Sequence, residues 1–432
     1  MNRRHFLTTG LAGISLSTAK AYKPNRASAN DKVTLAMVGV RGRGKRLTEY
    51  FAQMPTVNLA YICDVDQNVV EPALKIVQDA KGRRPPVVED IRRVLDDKAV
   101  DGIVIATPIH WHAPATILAC EAGKDVYVEK PVSHNVREGK LMIQAARKHG
   151  RIVQVGTQAR SRPVTIRFVE FVNSGKIGEP RMAKVWNCQM RSNIGRKADE
   201  PVPSGINYDL WTGPIPMLPF NRNRFHGTVN WHWHYGAGDL GNDGVHWMDV
   251  ARWALRLGYP TEVSGMGRKL YFDDDQQTPD TQNLVFNYPD RVLLYEMRLW
   301  NSYQMNSGQN GIEVYGTKGK VVSQYFDELH RYGYRVYDDK DNLVHQELEE
   351  QRDSDNHYGN FVECIRSRQR PNADIEEGHL SAALCHLGNI ATRTGRTLRF
   401  DPKTETILED KQASAYLSRE YRNHWSARPF AS

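Results

Sequence analysis

The sequence predicts an α/β chain: a doubly wound parallel sheet in the first third, then an α+β region with a large, open, mainly antiparallel sheet. Three observations support this. Short apolar runs at 32–40, 57–63, 103–106, 125–128 and 151–155 alternate with helix-length segments, the βαβ pattern of a parallel sheet. Past residue 160 the runs at 181–190, 262–272, 282–288, 291–300, 311–315, 320–324 and 332–338 become longer and hairpin-like, with a Pro-Asp turn at 289–290. A glycine-rich turn, Gly39-Val40-Arg41-Gly42-Arg43-Gly44, lies where the first strand meets the first helix.

Residues 1–29 stand outside this pattern. Arg3 and Arg4 precede a weakly apolar Thr/Gly/Ala/Leu/Ser stretch, and small-x-small cleavage options follow at 19–21 and 27–29. This reads as a twin-arginine export signal, which implies the twin-arginine export machinery as a partner and a periplasmic or otherwise exported protein. The apolar run is too short for a stable membrane anchor. The segment carries five basic and no acidic residues, so the formal +8 of the whole chain becomes +3 without it. The remaining Lys and Arg are scattered, and no nucleic-acid footprint results. The five cysteines are far apart, odd in number and set mostly in apolar segments, which reads as core thiols.

The chain then divides into a dinucleotide-binding region at 30–158, a substrate and oligomerisation region at 159–400, and an irregular tail at 401–432. In the first, Gly39, Arg41, Gly42, Arg43 and Gly44 form an imperfect G-x-G-x-x-G, a turn whose backbone can approach a pyrophosphate. Asp64 closes the second strand, where an acid accepts both ribose hydroxyls and favours NAD over NADP. Arg41 and Arg43 pull the other way, since guanidinium groups could hold a 2′-phosphate. Helices at 67–81, 91–96, 113–121 and 137–149 complete the alternation, and the last strand ends at Gln158. Lys130 stands at the C-terminal end of the 125–128 strand, followed by Pro131. Such a strand end is where an open parallel sheet puts ligand chemistry. Taken alone it would read as a surface lysine.

In the second half a helix is expected at 163–173, and helices at 356–368 and 377–394 could return to cover the nucleotide region. The stretch 221–235, NRNRFHGTVNWHWHY, with Trp211 upstream, offers aromatic faces and polar edges suited to a sugar ring. Its candidate substrate residues are Trp211, Arg224, Trp231, His232 and His234; a structural loop latched over the sheet is the competing explanation. His232, His234 and His246 have no carboxylate or Cys partner at ligand spacing, so no metal site is expected. The stretch 236–253, GAGDLGNDGVHWMDVARW, runs from glycine-rich backbone into a helix starting near Asn242. It places Asn242 and His246 on one face, with His246 suited to general acid/base work.

Together these stretches resemble the glucose-fructose oxidoreductase / inositol dehydrogenase / rhizopine-catabolism (Gfo/Idh/MocA) family. The likeness runs in order through Gly39–Gly44, Asp64, Thr107-Pro108 with His112, Glu129-Lys130-Pro131, and Asn242-Asp243-Gly244-Val245-His246. It implies a Rossmann domain and an NAD cofactor, tightly bound as in exported relatives. Thr107, Pro108, His112, Glu129, Lys130 and Gln158 then line the cofactor. It also implies Lys130 positioning a substrate hydroxyl and His246 taking its proton. A carbohydrate substrate and a homodimer or homotetramer follow from the same likeness. One position departs: the family's aspartate four residues before the histidine is Asn242 here, so either Asp239 or Asp243 substitutes, or the chemistry differs. Two other readings stand beside an oxidoreductase of sugar hydroxyls. One is an NAD-dependent glycoside hydrolase or lyase working by transient oxidation; the other is an idle dinucleotide-binding protein.

Overall fold

The computed structural model describes residues 32–349 and 355–431, so the export signal expected at 1–29 lies outside the described residues. The first six strands are β1 (Val33–Val38), β2 (Val57–Cys63), β3 (Val87–Val88), β4 (Gly102–Ile105), β5 (Asp125–Val128) and β6 (Val153–Val155). They form one parallel sheet in the order β3-β2-β1-β4-β5-β6. The strands are mostly apolar because helices cover both faces. Those helices include α1 (Arg43–Gln53), α2 (Val70–Lys81), α3 (Ile91–Leu95), α4 (His112–Glu121) and α5 (Val136–Lys148). Local chemistry marks their starts: the side chains of Asp90 and Asn135 accept from main-chain N–H groups of the first turns of α3 and α5.

Register then does the positioning. Cys63, Val38, Ile105, Val128 and Val155 lie in one row across the sheet. The residues that follow each of them, Asp64, Gly39, Ala106-Thr107, Glu129-Lys130 and Gly156-Thr157-Gln158, emerge along one edge. The order reverses between β1 and β4, and a doubly wound sheet opens a crevice at that point.

After α6 (Pro163–Val172), the strands β7 (Pro180–Asn187), β8 (Glu262–Arg268), β9 (Thr281–Asn287), β10 (Val292–Arg298), β11 (Asn310–Gly316), β12 (Gly319–Phe326), β13 (Arg331–Asp338), β14 (Leu343–Leu348), β15 (Leu398–Asp401) and β16 (Thr406–Leu408) build a second sheet. Its order is β14-β13-β12-β11-β7-β10-β9-β8-β15-β16, antiparallel except for the β7/β10 pair. The helices of this part are α7 (Tyr208–Thr212), α8 (Val245–Ala254), α9 (Asp355–Ser367), α10 (Ile375–Thr394) and α11 (Lys411–Ala415). The helix α10 packs against β8, α5 and α8 and so bridges the two sheets. The five cysteines are buried and unpaired.

Three expectations are corrected and one unforeseen strand is added. The run 262–272 ends as a strand at Arg268, because the buried Asp280 carboxylate captures the N–H groups of Leu270, Tyr271 and Phe272. The strand β14 is exposed along its first four residues, an edge without the apolar alternation that would announce it. The helix expected from Asn242 begins as a π-helical turn, Leu240–Gly244, and becomes α-helical only at Val245. The tail is not irregular: it adds β16, α11 and a 3₁₀ stretch, Trp425–Phe430, and lays Trp425 5.7 Å from the Trp111 ring.

Candidate functional site

The crevice at the strand-order reversal is lined by Gly39, Arg41, Asp64, Thr107, Pro108, Trp111, Trp211, His226 and Trp425, around a space of about 100 Å³. Two glycines keep it open. Gly39 has φ +79°, and a Cβ there would stand 2.9 Å from the backbone of Ala106 and Thr107; a Cβ on Gly44 would stand 1.8 Å from the Gly39 oxygen. Asp64 accepts from Val40 N at 2.8 Å and from Asp66 N at 3.0 Å. Burial pushes its carboxyl above the ordinary value against these donors. The Thr107 hydroxyl is buried with no protein partner. A backbone cradle that only glycine permits, an acid at the second strand end and an unsatisfied hydroxyl together fit a dinucleotide.

The remaining cofactor candidates divide. Arg41 and Asp64 line the crevice, but Arg43 turns away: its Nε donates to Glu129 at 2.8 Å and its Nη2 to Tyr358 Oη at 2.9 Å. Arg43, expected among the cofactor-binding residues, therefore does not line the crevice. Burial would raise the Glu129 carboxyl, yet Arg43 and Lys130 hold it below its ordinary range. Gln158 donates to Tyr127 Oη at 3.0 Å. His112 is buried, with Nδ1 2.7 Å from the Pro131 oxygen and Nε2 3.0 Å from the Thr107 oxygen. Its ring lies between the Thr107 and Pro131 turns, and burial lowers its pKa while those two carbonyls oppose the shift.

Lys130 and His246 line one recess of about 390 Å³, together with Gln158, Arg191, Asn242, Asp243, Trp247 and Tyr332. One residue comes from the carboxyl edge of the first sheet and the other from the first turn of α8. Lys130 Nζ donates to the main-chain oxygen of Asn242. Behind it lies a polar network that composition does not foretell. Arg191, which follows β7, pairs with Asp239 at 3.0 Å and with Asp243 at 2.9 Å. Burial raises the Asp239 carboxyl, with Arg191 opposing.

A buried ion pair fixes the helix that carries His246. Arg160 Nε donates to Asp249 at 3.0 and 2.8 Å, and Ser381 Oγ donates to the same carboxylate at 2.6 Å. Arg160 follows β6, Asp249 lies on α8 and Ser381 on α10. The pair therefore sets α8 against the nucleotide-binding sheet.

None of the five residues expected to meet the substrate lines this recess. Trp211 sits in an apolar cluster with Ile215, Phe220, Phe225, Val229 and Tyr235 and walls the nucleotide crevice. Trp231 belongs to the main core of the second sheet. Arg224 pairs with Asp199 at 2.6 Å and shares a separate shallow recess with His232. His234 lines a third cavity with His134 and His386. Aromatic packing accounts for the apolar part of the 221–235 loop, while Trp211 and His226 wall the nucleotide crevice. Sequence reasoning missed Arg191, Tyr332 and Trp425; only the last had a signal, the aromatics Tyr421, Trp425 and Phe430 spaced along an otherwise polar tail.

Comparison with known proteins agrees with this arrangement. Residues 33–157 match the model of the oxidoreductase family's NAD-binding Rossmann fold, and residues 183–427 match that of its C-terminal alpha/beta domain. An uncharacterized oxidoreductase, YrbE, of Bacillus subtilis is 26% identical over 298 residues, 68% of this chain and 74% of its own. An alpha-N-acetylgalactosaminidase of Shewanella oneidensis is 32% identical over 171 residues, but these cover only 34% of this chain and 37% of that protein. The fold is also that of the WlbA dehydrogenase from Bordetella pertussis, solved with NADH and UDP-GlcNAcA (TM-score 0.62, 20% identity, 86% of this chain and 99% of that one). An aldose-aldose oxidoreductase from Caulobacter crescentus, complexed with glycerol, is similar to the same degree (TM-score 0.62, 20% identity, 85% and 100%). Both halves of the chain, in order and over most of its length, place it in the Gfo/Idh/MocA family of NAD(P)-dependent oxidoreductases.

Proposed function

We propose that this oxidoreductase moves hydride between NAD and a secondary hydroxyl or ketone of a sugar, glycoside or related polyol. The observation that carries the reading is that Lys130 and His246 share one polar recess, and that Lys130 leaves the same sheet edge as Gly39, Asp64 and Thr107 of the dinucleotide crevice. A bound nicotinamide supplies the hydride chemistry. The chain supplies the rest: Lys130 donates a hydrogen bond to the reacting oxygen, and His246 exchanges that oxygen's proton. Gln158, Arg191 and Asn242 offer donors and acceptors for neighbouring hydroxyls, and the Trp247 and Tyr332 rings offer apolar faces. Asp64 accepts from the ribose hydroxyls and repels a 2′-phosphate, which favours NAD over NADP. Trp425 and the Trp211 loop enclose the crevice, in keeping with tight cofactor retention during export by the twin-arginine route. The working form is a homodimer or homotetramer.

A second reading is favoured by one observation, the amide of Asn242 beside Lys130, and by the partial likeness to an alpha-N-acetylgalactosaminidase. In that reading the oxidation is transient and a glycoside is cleaved by elimination. Two assays on one preparation separate them: absorbance at 340 nm against a panel of sugars and polyols, and release of an aryl group from aryl glycosides. Stoichiometric NADH supports the first reading; aryl release without net NADH supports the second; bound NAD with neither signal overturns both.

A further inference from the structure

The Asn242 amide is held between an amine and a carboxylate. Lys130 Nζ donates to the main-chain oxygen of Asn242 and stands 3.4 Å from its Oδ1. Asn230 Nδ2 reaches the same Oδ1 at 3.3 Å. From the other end, Asn242 Nδ2 donates to Asp239 Oδ1 at 3.0 Å. Asp239 is itself immobilised, accepting from Asn187 Nδ2 at 2.7 Å and from Arg191 Nη2 at 3.0 Å. Its side chain is buried, so no bulk water competes for these lone pairs.

An amide is polar at both ends and can present either one. A carboxylate offers only lone pairs, so the nitrogen end of Asn242 must face Asp239 and its oxygen end must face Lys130 and Asn230. Without that carboxylate the amide is free to turn, and a turned amide sets N–H against ammonium. The neighbouring Asp243 does not serve here: its carboxylate is drawn to Arg191 at 2.9 Å.

We infer that Asp239 is a positioning residue for Lys130, acting through the Asn242 amide whose orientation it fixes. The inference rests on Lys130 being the group that meets the substrate oxygen, and it extends that reading to a residue that never touches the substrate. The relay gives Lys130 an oxygen-lined seat at the recess without a charge in direct contact. An aspartate at 242 would provide such a charge. The π-helical turn Leu240–Gly244 sets Asn242 just beyond Asp239, within reach of both partners.

Competitive acetylation of the whole protein tests this without substrate. Acetic anhydride at fixed pH labels an amine only once it leaves its acceptors and loses a proton, and peptide mass spectrometry reads Lys130 against the other lysines. In Asp239→Asn, Lys130 is expected to label about tenfold faster relative to those lysines, since an acceptor of its charged form is lost. In the double variant Asp239→Asn/Asn242→Asp a carboxylate meets the ammonium directly, and labelling should return to within about twofold of wild type. Where turnover is measurable, kcat of Asp239→Asn should fall about tenfold with KM within about twofold, the signature of lost orientation rather than lost binding. Should Asp239→Asn fail to fold, Asn242→Leu must show the same faster labelling. Unchanged Lys130 labelling in Asp239→Asn or in Asn242→Leu, or no recovery in the double variant, overturns the relay. A wild-type chain inert toward every sugar would instead strike at the proposed function, because the labelling ratio does not depend on turnover.

Discussion

Asp249→Asn separates the docking of α8 from the chemistry it delivers. Asp249 is fully buried and accepts from Arg160 Nε at 3.0 and 2.8 Å and from Ser381 Oγ at 2.6 Å. Removing one partner of a buried pair costs about 3–5 kcal/mol, because the other charge stays buried without its counter-ion. Arg160 keeps a second carboxylate, Glu377 at 3.0 Å, which itself also pairs with Arg252, so the lower end of that range applies. A loss of about 3 kcal/mol corresponds to a Tm lower by roughly 6 °C, at about 2 °C per kcal/mol for a large domain. Differential scanning calorimetry reads this directly. Because His246 lies one helical turn from Asp249, turnover should fall with the Tm while dinucleotide affinity stays within about twofold of wild type, the crevice being built from other elements. A Tm within 1–2 °C of wild type (about 1 kcal/mol or less) would mean that the pair does not hold α8.

Asp64→Ala should narrow the preference for NAD over NADP by about one to two orders of magnitude, measured as the ratio of Kd values, since a repelling acid is gone and Arg41 remains; an unchanged ratio places the ribose elsewhere. Trp425→Ala should weaken dinucleotide binding about tenfold, the worth of one large apolar wall, in equilibrium titration of the stripped protein; equal affinity removes the tail from the site. Burial lowers His110 and His386 to about 3 and His357 to about 4. The unfolded chain takes up these protons from about pH 6.5 downward while the folded chain does not, so stability is complete above that pH and is lost as pH falls, by up to about 1.4 kcal/mol per unit for each histidine. The Tm should therefore drop steeply between pH 6.5 and 4.5, well within the window set by these values; a flat Tm there contradicts the neutral, buried state.

Much of this architecture is legible in the sequence because the first sheet is local. Each βαβ unit announces its strand by an apolar run and its site residue by what comes directly after, as Asp64 follows Cys63 and Lys130 follows Glu129. The second sheet is less legible at its margins. Asp280 ends β8 from a distance of several residues, and β14 has no alternation to read. The network behind the recess is legible only in its two carboxylates, Asp239 and Asp243, which the family pattern singles out. Arg191, Asp239 and Asp243 meet only after β7 and the π-helical turn are placed side by side, and spacing carries no trace of that. The loop 221–235 misled for a physical reason: a buried aromatic cluster and a sugar platform use the same residues, and only packing distinguishes them.

The central claim is that Lys130 and His246 work on one oxygen beside a bound nicotinamide. Single-turnover reduction of protein-bound NAD, followed at 340 nm on mixing with the most active sugar, tests it in wild type, Lys130→Met and His246→Asn. Both variants should keep their cofactor and lose at least about two orders of magnitude in rate, the usual worth of a positioned acid or base. Wild-type rates in either variant, with NAD still bound, would contradict the account.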